Sequence, residues 1–113
     1  MIEQLNRIEL IGVVGRDARI ANVGDTSVAS FALATNYAYK DRGGNAIIET
    51  TWHSIKAWKG SKMPDLADIK KGTWLHVKGR LRNVRYTDQQ GIERTMFEVL
   101  AGEMEIVDPK AEK

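Results

Sequence analysis

Gly60-Ser61-Lys62-Met63-Pro64-Asp65-Leu66-Ala67-Asp68-Ile69-Lys70-Lys71-Gly72 interrupts a chain otherwise patterned as strands. Pro64 suits the first turn of a helix, where its missing N–H is no loss. Leu66, Ala67, Ile69 and Lys70 follow at helical spacing, and Gly72 suits a stop just past the end. The segment predicts one short helix of roughly two turns. The elements on either side of it decide the fold.

Upstream, three strands are expected. Residues 5–14 are rich in Ile, Leu and Val, and Gly12 within them suggests a bulge or sharp bend. Gly24-Asp25 is a turn. Residues 27–37 set Ala29, Phe31 and Leu33 on one parity. Lys40-Asp41-Arg42-Gly43-Gly44-Asn45 is a polar hairpin tip, and residues 47–58 return as the third strand. Downstream, residues 74–86 put Leu75, Val77, Gly79 and Leu81 on one face, with His76, Lys78, Arg80 and Arg82 on the other. Residues 87–91 are a hairpin turn, and residues 93–107 form the fifth strand, with Phe97, Val99 and Ala101 on one parity. Five strands with one short helix between strands 3 and 4 define an all-β, five-stranded OB-fold barrel.

Within the third strand, Trp52, Ser54, Lys56 and Trp58 share a parity, and His53, Ile55 and Ala57 share the other. Lysine is almost never buried unpaired. The first face therefore reads as an exposed pair of indoles beside a cation, which is a base-stacking platform. The strand taken alone also allows tryptophans in the core with Lys56 snorkelling outward.

At 113 residues the chain is one domain, 42% hydrophobic and 28% charged, as in an ordinary globular protein. It has no cysteine, which excludes disulfides and thiolate metal sites and suits a reducing cytoplasm. Its first residues lack the apolar run of a signal peptide. The net charge of +2 is a weak pointer to an anionic partner. Its distribution says more: Lys70, Lys71, Lys78, Arg80, Arg82 and Arg85 crowd one stretch, within reach of aromatics. No catalytic constellation is visible. His53 and His76 stand in different strands, and there is no His-x-x-x-His pair, phosphate loop or nucleophile elbow. A catalyst, a metal and a cofactor are not expected.

These motifs together resemble the bacterial single-stranded DNA-binding protein family, over nearly the whole chain. Leu5-Asn6-Arg7-Ile8-Glu9-Leu10-Ile11-Gly12, with Gly15-Arg16-Asp17, is similar to the family's first strand and turn. Ser27-Val28-Ala29-Ser30-Phe31-Ala32-Leu33-Ala34-Thr35-Asn36 looks like its second strand. Glu49-Thr50-Thr51-Trp52-His53 resembles its Glu-x-Thr-Glu-Trp-His motif, with Thr51 where Glu is usual. Lys71-Gly72-Thr73 and Val77-Lys78-Gly79-Arg80-Leu81-Arg82 look like its Lys-Gly-Ser and Glu-Gly-x-Leu-Arg segments, with Lys78 replacing an acid.

The resemblance implies stacking of bases on Tyr39, Trp52, Trp58 and Tyr86, and phosphate contacts from Arg42, Lys71 and Arg85. Strand parity adds Lys56, Lys59, Arg80 and Arg82 to the phosphate set. The resemblance also implies a cytoplasmic, nucleoid-associated homotetramer, with the first strand (Ile8, Leu10) and His53 at subunit contacts. Residues 1–108 are expected to form the binding domain, and 109–113 a short remnant. Family members usually continue into a linker and an acidic tip that docks replication and repair enzymes. The chain ends at Lys113 without one, which argues against those enzymes as partners. Three other readings stay open: a dimeric primosomal adaptor, an RNA-binding OB module and an OB nuclease.

Overall fold

The computed structural model describes residues 2–110. Six strands are formed among them: β1 (Ile8–Val14), β2 (Arg19–Val23), β3 (Thr26–Lys40), β4 (Ala46–Trp58), β5 (Trp74–Thr87) and β6 (Glu93–Ile106). They pair in the order β1-β5-β6-β4-β3-β2. A further β1–β3 pairing, Val13 with Ala34 and Val14 with Leu33, closes the five strands other than β2 into a ring. All of these contacts are antiparallel except β4–β6, where Ile55–Ala57 run parallel to Val99–Ala101. This is the expected five-stranded OB barrel.

Alternation on each strand supplies the interior. Ala29, Phe31 and Leu33 of β3, Ile55 and Ala57 of β4, Leu75 and Val77 of β5 and Val99 of β6 are buried together. Each large side chain among them contributes about 1.5–3 kcal/mol by leaving water. One irregularity resets the alternation. Lys78 pairs with Glu103 but Gly79 pairs with Ala101, so Gly102 is an extra residue on β6. Ala101 and Met104 can therefore both face inward, although an odd and an even position would otherwise oppose each other.

Gly12 is a site of close approach. A Cβ there would run into the Ala34 carbonyl, where β1 crosses from its β5 pairing to its β3 pairing. β1 starts at Ile8, later than expected, and Asn6 ahead of it is tied to β5 through its side chain. Its side-chain amide donates to the Leu81 carbonyl at 2.6 Å, and its side-chain oxygen accepts from the Leu81 N–H at 3.0 Å.

Two expectations are corrected. The expected two-turn helix is a single 3₁₀ turn, Leu66–Asp68, capped by Asp65 Oδ1 accepting from the Ala67 N–H at 3.1 Å. It stops because Ile69 turns extended and sinks into the core beside Leu66, while its carbonyl accepts from the Ala18 N–H at 2.9 Å. Gly72, with φ of 90°, then turns the chain into β5. The second correction is β2, a strand the sequence pattern did not announce. All five of its residues are exposed, so it carries no alternation to read, and it lies against β3 outside the ring.

β3–β4 and β5–β6 both run on past the barrel as two-stranded arms. β3 and β4 stay paired out to Lys40 and Ala46, and β5 and β6 out to Thr87 and Glu93. Because β4 and β6 are parallel, both arms leave from the same end. Within the expected remnant, residues 109–113, Pro109 and Lys110 form a turn, and 111–113 lie outside the described residues.

Candidate nucleic-acid interface

β4 places the aromatic pair. Ile55 and Ala57 are sealed in the core, so the even residues must face out. Trp52 is 59% exposed and Trp58 38%, with half-buried Ser54 and Lys56 between them. The indoles stand six residues apart on one face, about 20 Å along the strand. On β3, Ala34 lies beside Trp52, Ala32 beside Ser54, Ser30 beside Lys56 and Val28 beside Trp58, so the positions between the indoles face small residues. No bulky side chain rises from β3 between the two rings.

Cross-strand register extends this face around the barrel. Arg19 pairs with Ser30, Ser30 with Lys56, Lys56 with Leu100 and Leu100 with Arg80. Partners in register point to the same side of a sheet. Arg19, Lys56 and Arg80 therefore form a row of cations crossing β2, β3, β4, β6 and β5 beside the indoles. Tyr86, 44% exposed, shares the parity of Arg80 further out on the β5–β6 arm. Trp52 also walls a hollow of about 380 Å³ with Arg16, Asp17 and Arg19. Arg16 and Arg19 were missed from the sequence. Arg19 became visible only with β2, and Arg16 lies in the loop that β2 folds back.

Other expected contacts lie elsewhere. Arg82 shares the face of Arg80, but its Nε and Nη2 both donate to Glu98 Oε1, at 3.0 and 2.9 Å. Glu98 is buried, so the pair offsets the Arg82 charge and ties that side chain down. Arg85 has the opposite parity; its pair with Glu93 at 3.4 Å is solvent-exposed and weak. Tyr39 pairs with Ile47, which puts it on the side of the β3–β4 arm opposite Trp52. There it stacks on Tyr37, at 6.0 Å between centroids and 29° between planes. Arg42 sits at the arm's tip, where Asp41 Oδ1 accepts from the Gly43 and Asn45 N–H groups at 2.9 Å and shapes the turn. These bonds, Asn45 first, hold the Asp41 carboxyl below its usual range. Lys59 follows β4 directly, and Lys71 lies in the loop before β5, its backbone N–H donating to Asp17 Oδ1 at 2.9 Å.

The expected subunit-contact residues are partly redirected. Ile8 and Leu10 share the parity of buried Gly12 and Val14 and pack against the core. The outward side of β1 is Glu9, Ile11 and Val13, with Trp74, His76 and Lys78 of β5 alongside. Ile11 is 51% exposed and Trp74 36%. His76 Nε2 meets Glu9 Oε2 at 2.5 Å, and that bond holds the Glu9 carboxyl below its usual range. His53 is half-buried at the barrel mouth, its Nε2 2.9 Å from Thr35 Oγ1, and burial lowers its pKa.

A closed OB barrel with two indoles, a row of cations and a tyrosine on one face defines an oligonucleotide-binding class of protein. The chain belongs to the single-strand binding protein family, whose model matches residues 5–107. It is 32% identical over 111 residues to a single-stranded DNA-binding protein of Neisseria meningitidis, covering 96% of this chain and 63% of that protein. One from Bacteroides thetaiotaomicron is 36% identical, with 94% and 68% covered. Among solved structures, the Plasmodium falciparum SSB in complex with ssDNA superposes with a TM-score of 0.80 at 28% identity, over 96% of this chain and 99% of that one. A deletion mutant of the Thermus aquaticus single-stranded DNA-binding protein, 20% identical with a TM-score of 0.74, shares the fold. The chain thus spans a little under two thirds of the length of the Neisseria relative. No helix among the described residues is long and apolar enough to cross a membrane.

Proposed function

We propose that this chain binds single-stranded DNA without sequence preference and keeps it open and protected during replication, recombination or repair. The observation that carries the reading is the shared outward face of Trp52, Lys56 and Trp58. Family membership and the likeness to a structure holding ssDNA support it. The work is binding without catalysis or cofactor: bases stack on Trp52, Trp58, Tyr86 and Tyr39, each stack contributing about 1–3 kcal/mol. Every base has a π-face, so stacking tolerates any sequence. Lys56 and Arg80 neutralise phosphates along the same face, and Arg42, Lys59, Lys71 and Arg85 do so from the arms and loops. Arg82 supports this surface through Glu98.

Residues 1–108 are the binding domain in this reading, acting in the cytoplasm on the nucleoid. One barrel covers only about 4–16 nucleotides. Several barrels in one particle would make each later contact on a strand intramolecular, with a high effective concentration. The outward apolar patch of Ile11, Val13 and Trp74 suits a subunit contact, and a homotetramer is the assembly proposed.

Titration with oligo-dT, its RNA counterpart and a duplex tests the binding reading. DNA single strands should bind tightest, with log affinity falling by about 0.7 per neutralised phosphate against log salt. Lys56→Ala should make that slope shallower by about 0.7. Equal preference for duplex would contradict the reading. Light scattering should give about four times the 12.7 kDa chain mass; a monomer would contradict the assembly.

A further inference from the structure

Tyr37 has no part in the site read from the sequence. It is 68% exposed on β3, and its ring lies over that of Tyr39. We infer that Tyr37 is a further nucleobase-stacking residue, forming with Tyr39 a two-ring clamp for one base of a single strand. The inference rests on the single-stranded DNA reading above and adds to it a residue and a second face.

The geometry suits a base. Side chains two apart on a strand are spaced by about 6.6 Å. Stacked bases rise about 3.4 Å each, so a base between two rings needs about 6.8 Å. The Tyr37 and Tyr39 centroids stand 6.0 Å apart with planes 29° from parallel. A small opening of one exposed ring therefore admits a base, and neither ring is buried against it. The neighbours fit as well. Across β4 lie Glu49 and Ile47, so one end of the clamp is apolar, while Lys40 and Arg42 carry cations at the tip just beyond. Tyr39 alone would offer one face; Tyr37 gives the second.

The clamp and Trp52 lie on opposite sides of the β3–β4 arm. A strand that uses both must pass around an edge of that arm. Both edges are open there. Past Ala34 and Ile55 the arm is paired only with itself, because β1 reaches no further than Ala34 and β6 no further than Ile55.

The test compares wild type with Tyr37→Ala, Tyr37→Leu and Tyr37→Phe in fluorescence titrations with oligo-dT of about 16 nucleotides. Tyr37→Ala and Tyr37→Leu should each weaken binding about tenfold, and Tyr37→Phe should bind like wild type. The leucine variant keeps apolar packing against Tyr39 while removing the π-face, so its loss reports stacking. Unfolding midpoints are measured alongside and should match across the set. If the wild type binds and both Tyr37→Ala and Tyr37→Leu bind equally well, the clamp is overturned and the function stands. If Tyr37→Leu retains full affinity while Tyr37→Ala does not, Tyr37 only packs and the clamp is overturned. If the wild type fails to bind, both readings fall.

Discussion

The six-membered ring of Trp52 abuts Gly15 with its outer edge. A Cβ on that glycine would come within 2.5 Å of Cζ3 and 2.8 Å of Cη2. The bare backbone at Gly15 is what leaves room for the edge of the indole, next to Arg16.

Gly15→Ala therefore displaces a ring and leaves the core untouched. The atoms that must give are the far end of an exposed side chain, so stability should change by less than about 1 kcal/mol. Binding of oligo-dT should weaken by up to the roughly 1–3 kcal/mol that one stack contributes. Titration beside urea unfolding checks both parts. An unaltered affinity would remove Trp52 from the surface.

Arg82→Ala should behave in the opposite way. It strands the buried carboxylate of Glu98, which now accepts two guanidinium N–H groups. Because Arg82 is itself a third exposed, the loss is expected near the low end for charged pairs, about 1–3 kcal/mol of stability. The salt slope of DNA binding should stay as in wild type. A change of slope by about 0.7 without loss of stability would show that Arg82 contacts phosphate instead.

Acidification should expose His53. Burial lowers its pKa below the usual value near 6.5, so the folded chain favours the neutral ring. Between the usual and the lowered value the unfolded chain binds more protons, and stability falls as pH drops. Above the usual value the contribution is fully present. Unfolding at pH 7.5 and pH 5 should show wild type losing more stability than His53→Gln. Glu9, Asp41 and Asp88 are also held low, Asp88 first by its bond to Arg94, but as carboxylates they act in a more acidic window. Equal losses in the two proteins would contradict this placement of His53.

The barrel was legible because alternation survives wherever a strand has one wet and one dry side. Leu75 and Val77 or Phe31 and Leu33 read as core, and are core. Legibility stopped where that condition failed. Phe97 has the parity of Val99 but is 65% exposed, because the β5–β6 arm has left the barrel and has no interior to fill. β2 is wet on both sides and hid Arg19. Ile8 and Leu10 were expected at subunit contacts but pack on the core, because parity alone does not say which side of β1 faces the ring. The Arg82–Glu98 pair joins residues sixteen apart, and Tyr37 was passed over because its importance lies in the ring stacked on it.

Everything proposed for the interface depends on Trp52 and Trp58 being a stacking surface for single-stranded DNA. The sharpest probe of that role is tryptophan emission during titration with oligo-dT, in wild type, Trp52→Phe and Trp58→Phe. Trp74 is the third indole, on the outward side of β5 beside Val13, and provides the unquenched background. Saturating oligomer should quench most of the wild-type emission, and each single substitution should remove a share of that quench. Emission that does not change at saturation, or a quench that survives both substitutions, would show that the bases stack elsewhere or not at all.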